Sequence, residues 1–294
     1  MSLVTTLISD PENPQITGDV IERVADALNR MVVVSWLDQV AACDFDIDAN
    51  EIEHIQALAP ELDALKIDWA IQNPSERRKT VLVADMDSAM IEQECIDELA
   101  DAIGIKDQVS GITERAMRGE IEFDPALRER VLLLKGLPLS KIDDVIENRI
   151  TLRAGGRQLV QTMKAKGGYT ALVSGGFTMF TSRIADQLGF DENRANTLLT
   201  SEDTLSGMVQ EPILGSDAKV KAVQEICAKL NLTPNDVMAI GDGAKDLGMI
   251  KLAGSGVAVH AKPKVAREAD YAINHSDLTA LLYLQGYSSA DFVS

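Results

Sequence analysis

A chain of 294 residues, 46% of them hydrophobic, can bury one large or two ordinary cores, which excludes a disordered protein. Its 28 Lys and Arg against 46 Asp and Glu give a formal charge of -18, which repels nucleic acid and anionic membrane surfaces alike. No apolar run reaches membrane-spanning length, and the start MSLVTTLISDPENP lacks a basic head and long apolar stretch, so a cytoplasmic protein with a small-molecule partner is expected.

Residues 3–8 (LVTTLI) predict a strand, 17–30 an amphipathic helix, and 32–47 two strands around a polar turn. A second helix follows Asn50, and 66–72 (KIDWAIQ) alternates as a strand. The order βαββαβ describes a ferredoxin-like α+β domain over residues 1–76, with no obvious chemistry. NPSERRKT (73–80) reads as a linker into a second domain, residues 77–294. There the apolar runs VLVA (81–84), TALV (170–173) and VMAI (237–240) alternate with helical periods, as strands of a parallel sheet buried on both faces do. The insertion at about 92–150 holds helix formers and no comparable strand, which predicts a helical cap. Cys43, Cys95 and Cys227 lack metal or disulfide spacing and read as core residues; His54, His260 and His275 show no metal spacing either.

All three apolar runs end in polar residues: Asp85, Ser174-Gly175-Gly176 and Gly241-Asp242-Gly243. Carboxyl ends of parallel strands line one crevice, so these endings should converge. Asp85, Asp87, Asp242 and Asp246 together would carry about -4, which needs a cation. A hard divalent ion, Mg²⁺, suits such oxygens. Ser174 and the following glycines offer a hydroxyl and open N–H groups to a phosphate oxygen, and Lys221 of SDAKVKAVQE adds positive charge. Together these parts describe phosphoryl transfer through an aspartyl-phosphate.

DMDSA (85–89), SGG (174–176), Lys221 and GDGAKD (241–246) resemble, in order and spacing, the four motifs of haloacid dehalogenase superfamily phosphatases. The segments MIEQECIDELAD (90–101) and RAMRGEIEFDPALRERVLLLKGLP (115–138) look like the cap of bacterial phosphoserine phosphatases, so the resemblance covers residues 81 to about 280. It implies a Rossmann-like core with an inserted cap, and hydrolysis of O-phospho-L-serine to serine and phosphate, the last step of serine biosynthesis. It implies Asp85 as nucleophile and Asp87 as general acid and base. Asp85, the Asp87 carbonyl and Asp242 would hold Mg²⁺, with Asp246 supporting them from behind. Ser174, Gly175 and Lys221 would grip the phosphoryl group. Glu94 would take the substrate ammonium and Arg130 its carboxylate, with Met117 and Phe123 closing the apolar side. Residues 1–76 match, more loosely, an ACT-like domain; such units pair into dimers, so a homodimer through this domain is the macromolecular contact the resemblance suggests.

The family usually has Thr where this chain has Ala89, and Asn where it has Lys245. The first change removes a hydroxyl worth about 1 kcal/mol. A cation about 5 Å from Mg²⁺ is repelled by roughly 7 kcal/mol at an effective dielectric of 20, and a phosphate dianion attracts it about as strongly. Lys245 is therefore expected among the substrate-binding groups, weakening metal binding in the empty site and perturbing turnover without abolishing the fold. Two alternatives stay open: a phosphatase of another small phosphometabolite, and a catalytically impaired descendant kept for ligand sensing.

Overall fold

The computed structural model describes residues 2–118 and 120–293; the side chain of Met117 lies outside the described part. The first seven elements are β1 (Ser2–Ser9), α1 (Gly18–Leu28), β2 (Ser35–Asp38), β3 (Ala42–Asp48), α2 (Ile52–Ala57), α3 (Ala59–Ala64) and β4 (Ile67–Gln72). Their strands form an antiparallel sheet in the order β2-β3-β1-β4. Alternation along the strands sends Leu7, Cys43, Phe45, Ile47 and Ile67 to one face, where they meet Val20, Val24 and Leu28 of α1, Ile55 of α2 and Leu62 of α3. Helix α1 stops two residues short of the expected end because Asn29 turns left-handed at φ 51. Residues 32–34, expected in a strand, precede β2, and Val33 is exposed.

The other face of this sheet is covered too. Ile8, Ala42 and Ala70 join the main core of the molecule beside Leu281 and Leu282. Buried Asp68 accepts backbone N–H groups of Asn274, His275 and Ser276 at 2.8, 3.1 and 2.9 Å. Buried Asp44 accepts from Thr6 Oγ1 and, through its other oxygen, pairs with Arg77, both at 2.7 Å. The stretch 73–80 contains no helix or strand, yet Arg77, Arg78 and Lys79 anchor it on both sides.

The larger sheet begins with β5 (Val81–Ala84). Four helices follow: α4 (Cys95–Ala102), α5 (Lys106–Met117), α6 (Phe123–Leu133) and α7 (Leu139–Arg149). The chain continues through α8 (Gly156–Ala165), β6 (Tyr169–Phe177), α9 (Thr178–Leu188) and β7 (Glu192–Asn196), then a hairpin of β8 (Leu198–Ser201) and β9 (Thr204–Val209). It closes with α10 (Ser216–Leu230), β10 (Val237–Gly241), α11 (Leu247–Leu252), β11 (Ser255–Val259), α12 (Pro263–Glu268), β12 (Tyr271–Ile273) and α13 (Ala280–Leu284). The six strands are parallel in the order β12-β11-β10-β5-β6-β7. The three apolar runs read from sequence are thus its middle, β10-β5-β6. Leu82 and Ala84 face one core, Val81 and Val83 the other, which is why the run shows no polar alternation.

Candidate active site

The carboxyl ends of β5, β6 and β10 meet at one wall of a cavity of about 690 Å³, and α4, α5 and α6 supply much of the opposite wall. The backbone turns sharply after β5: Ser88 is left-handed at φ 60, and the Arg153 guanidinium donates to the Ser88 and Ala89 carbonyls at 3.0 Å each. This turn brings Asp87 to the cavity wall, while Asp85 stays buried, 3.2 Å from Lys245 of that wall.

Asp85 is fully buried. Its Oδ1 accepts from the Met86 N–H at 2.8 Å and from Lys219 Nζ at 2.5 Å; its Oδ2 stands 3.2 Å from Lys245 Nζ. Burial pushes this carboxyl up, but the two ammoniums outweigh it and hold it below the usual range. Asp87, buried beside it, accepts from the Cys95 N–H at 2.9 Å and from Ser174 Oγ at 3.2 Å. Burial, reinforced by Glu94 and Asp85 and opposed by Lys245, raises it to about 6. Neighbouring carboxyls in different surroundings are thus pushed apart, the arrangement an acid and a nucleophile require.

Ser174 Oγ also accepts the Gly176 N–H at 2.8 Å. A side chain at Gly176 would press its Cβ to 2.8 Å from Asp87 Oδ2, so only glycine lets this strand end approach. Asn196 steadies the loop by donating to the Gly175 and Leu214 carbonyls and accepting the Leu214 N–H.

On the acidic side, ligand atoms of Asp85, Asp242 and Asp246 lie within 4.8 Å of one another, the grouping among the described residues that could hold a metal ion. Both Asp246 oxygens are engaged, Oδ1 by Lys219 Nζ at 2.5 Å and Oδ2 by the Gly243 N–H at 3.0 Å. Asp242 Oδ1 and Asp85 Oδ2 are buried without a hydrogen-bond donor. Buried bare carboxylate oxygens are costly, and a hard cation is what relieves them, so this donor set fits a divalent metal. Burial, with Asp85 and Asp246 adding to it against Lys245, raises Asp242 to about 6.

Lys221 does not belong here. Its side chain is 74% exposed and lies 3.6 Å from Glu225, whereas Lys219 is 2% exposed and bridges Asp85 and Asp246. At about 100° per residue, two positions along α10 put the two lysines on opposite sides. Lys219 shares its stripe with the buried Ala222, Val223 and Ile226, a 3.6-residue period already visible in SDAKVKAVQEI. Reading that phase would have selected Lys219.

Glu94, Phe123, Arg130 and Lys245 line the cavity, and Met117 lies outside the described side chains. Glu94 Oε1 accepts from Ser88 Oγ at 2.8 Å. Arg130 on α6 donates to the Ala126 carbonyl and to Thr113 Oγ1, at 3.2 and 3.3 Å, and has no carboxylate partner among the described ion pairs. Phe123 opens α6 with its ring against Gly175, 3.4 Å from where a Cβ would sit. Lys245 lies on the wall near Gly243.

Residues 82–251 match the haloacid dehalogenase-like hydrolase family. The chain belongs to that family. A phosphoserine phosphatase of Polaromonas sp. is 47% identical over 209 residues, which is 69% of this chain and 89% of that protein. The structure of a haloacid dehalogenase family hydrolase from Salmonella enterica serovar Typhi superposes with a TM-score of 0.87 at 28% identity, over 96% of this chain and 98% of that one. A substrate-bound phosphoserine phosphatase complex superposes at 0.65 with 36% identity, over 70% of this chain and 98% of the other. For a haloacid dehalogenase-like hydrolase, the added residues of note are those no motif marks: Arg153, Asn196 and Lys262, whose N–H donates to the Asp242 carbonyl at 3.2 Å.

Proposed function

We propose that the chain is a phosphoserine phosphatase, hydrolysing O-phospho-L-serine to L-serine and phosphate. One observation carries this reading: a single cavity joins Asp87, Asp242 and Lys245, against which Asp85, Ser174 and Lys219 are buried, to an end that offers the carboxylates Glu94 and Asp97 and one guanidinium, Arg130, with no carboxylate partner among the described ion pairs. The relatives named phosphoserine phosphatase support it.

Asp85, held ionised by Lys219 and Lys245, attacks phosphorus; the bond from phosphorus to the serine oxygen breaks, and Asp87 delivers its proton to that oxygen. Asp87, now a base, takes a proton from water, whose oxygen attacks phosphorus and frees Asp85. The Ser174 hydroxyl, the Gly175 N–H and Lys219 steady the phosphoryl oxygens, and Lys245 stands close enough to join them. Asp85, the Asp87 carbonyl and Asp242 would hold Mg²⁺, with Asp246 behind them; when bound it supplies charge neutralisation at the phosphoryl group. Glu94 receives the ammonium and Arg130 the carboxylate, with Phe123 on the apolar side.

The reading divides the chain into an ACT-like domain, residues 1–76, and a phosphatase domain, 77–294, with its cap at about 92–150. The antiparallel order β2-β3-β1-β4 supports the first assignment, and dimerisation through it is part of the proposal. No described helix is long and apolar enough to cross a membrane, and a cytoplasmic place in serine biosynthesis goes with the activity. Phosphate release from phosphoserine with Mg²⁺, compared with phosphate esters lacking the carboxylate, tests the reading. Preference for phosphoserine is expected; equal turnover of all esters would point to another phosphometabolite.

A further inference from the structure

Resting on the phosphatase reading, we propose that Lys245 is an exchangeable internal counter-ion: in the metal-free chain its ammonium compensates the Asp85 oxygen that a divalent ion needs, and the ion binds by displacing it. Each Asp85 oxygen has its own cation. Oδ1 is committed to Lys219 and the Met86 N–H, whereas Oδ2 lacks a hydrogen-bond donor and has Lys245 Nζ at 3.2 Å.

The two lysines are built differently. Lys219 is 2% exposed and wedged between Asp85 and Asp246 at 2.5 Å from each, so leaving would strand two buried carboxylates. Lys245 is 34% exposed, sits in the short turn Ala244–Asp246 and lays its stem along Gly243 at the cavity wall. Its flexible stem can carry the ammonium into the cavity, towards Glu94, without disturbing a helix or strand.

Charge counting points the same way. Four carboxylates and two ammoniums leave about -2, a cluster half neutralised before any metal arrives. A divalent ion therefore meets a competitor of its own sign beside one of its two bare oxygens, Asp85 Oδ2, while the other, Asp242 Oδ1, stays open. A phosphoryl dianion in the cavity would draw the displaced ammonium and favour the exchange.

Calorimetric titration of the full chain with Mg²⁺ alone, without substrate, reads this directly. Lys245→Met removes the charge and nearly keeps the length; Lys245→Arg keeps the charge. The Met variant is expected to bind Mg²⁺ about tenfold more tightly than the parent or better, with Arg within about threefold of the parent. Thermal melting with and without Mg²⁺ confirms folding, and Lys245→Gln serves as the neutral variant should the Met chain not fold. A neutral variant within threefold of the parent overturns the proposal, as does equal tightening by Met and Arg, or no Mg²⁺ binding by either parent or neutral variant. Phosphoserine hydrolysis by the parent at saturating Mg²⁺ is a separate readout: its failure removes the substrate assignment and leaves the titration standing.

Discussion

The two ends of the cavity are held in opposite ways. At the phosphoryl end, Asp85, Asp87, Ser174, Lys219 and Asp246 are buried on or beside strand tips, and nearly every polar atom has a fixed partner. At the end the proposed function gives to the amino acid, Phe123 and Arg130 sit on α6 and Glu94 just before α4, half-buried or exposed; Glu94 accepts one hydrogen bond, from Ser88, and Arg130 donates two. On the proposed function, substitution at the first end should attack chemistry and stability together, and at the second the choice of substrate.

Four substitutions test that contrast in descending order of effect. Asp85→Asn keeps the shape but removes the attacking charge, so kcat for phosphoserine should fall at least about 1000-fold, measured by phosphate release. Lys219→Met leaves Asp85 and Asp246 buried and uncompensated, which should cost about 3–5 kcal/mol in urea unfolding and most of the turnover as well. Wild-type stability would break the contrast. Arg130→Ala should lower kcat/KM for phosphoserine about 10- to 100-fold, the size of a lost charge-assisted pair, while an ester without a carboxylate changes less than about threefold. The unfolding midpoint should barely move. Lys221→Ala, on the solvent side of α10, should change stability by less than about 0.5 kcal/mol and leave kcat/KM as it was.

Much of the phosphoryl end is legible in the chain because its signals are local. An apolar run that stops at Asp or Ser-Gly-Gly marks a buried strand and its tip within a few residues. The lysine too is written in local text, but in helical phase: the spacing of Lys219 to Ala222, Val223 and Ile226 marks it, and nearness to the other motifs, which points to Lys221, does not. Arg153 and Asn196 carry no such mark, since what makes them matter is a carbonyl 64 or 21 residues away. Strands β7, β11 and β12 and the β8–β9 hairpin are short and mixed in composition, and pairing partners define them more than their own pattern does.

The N-terminal sheet shows the same division. Its order of elements follows from alternation and turn residues, but nothing in LVTTLI tells that Ile8 packs with residues near 281 or that Thr5 and Thr6 are wholly buried. Asp68 looks like a solvent residue of an amphipathic strand and is instead the acceptor for three consecutive N–H groups beyond β12.

The amino-acid sequence by itself determined the strand runs, their acidic and glycine endings and the helical insertion, because period, charge and turn chemistry act between near neighbours. Only the tertiary structure decided which lysine reaches Asp85, which carboxylate oxygens stay bare and what covers the second face of the first sheet. Those outcomes depend on the direction of side chains across packed layers, and that direction is set by partners tens to hundreds of residues away.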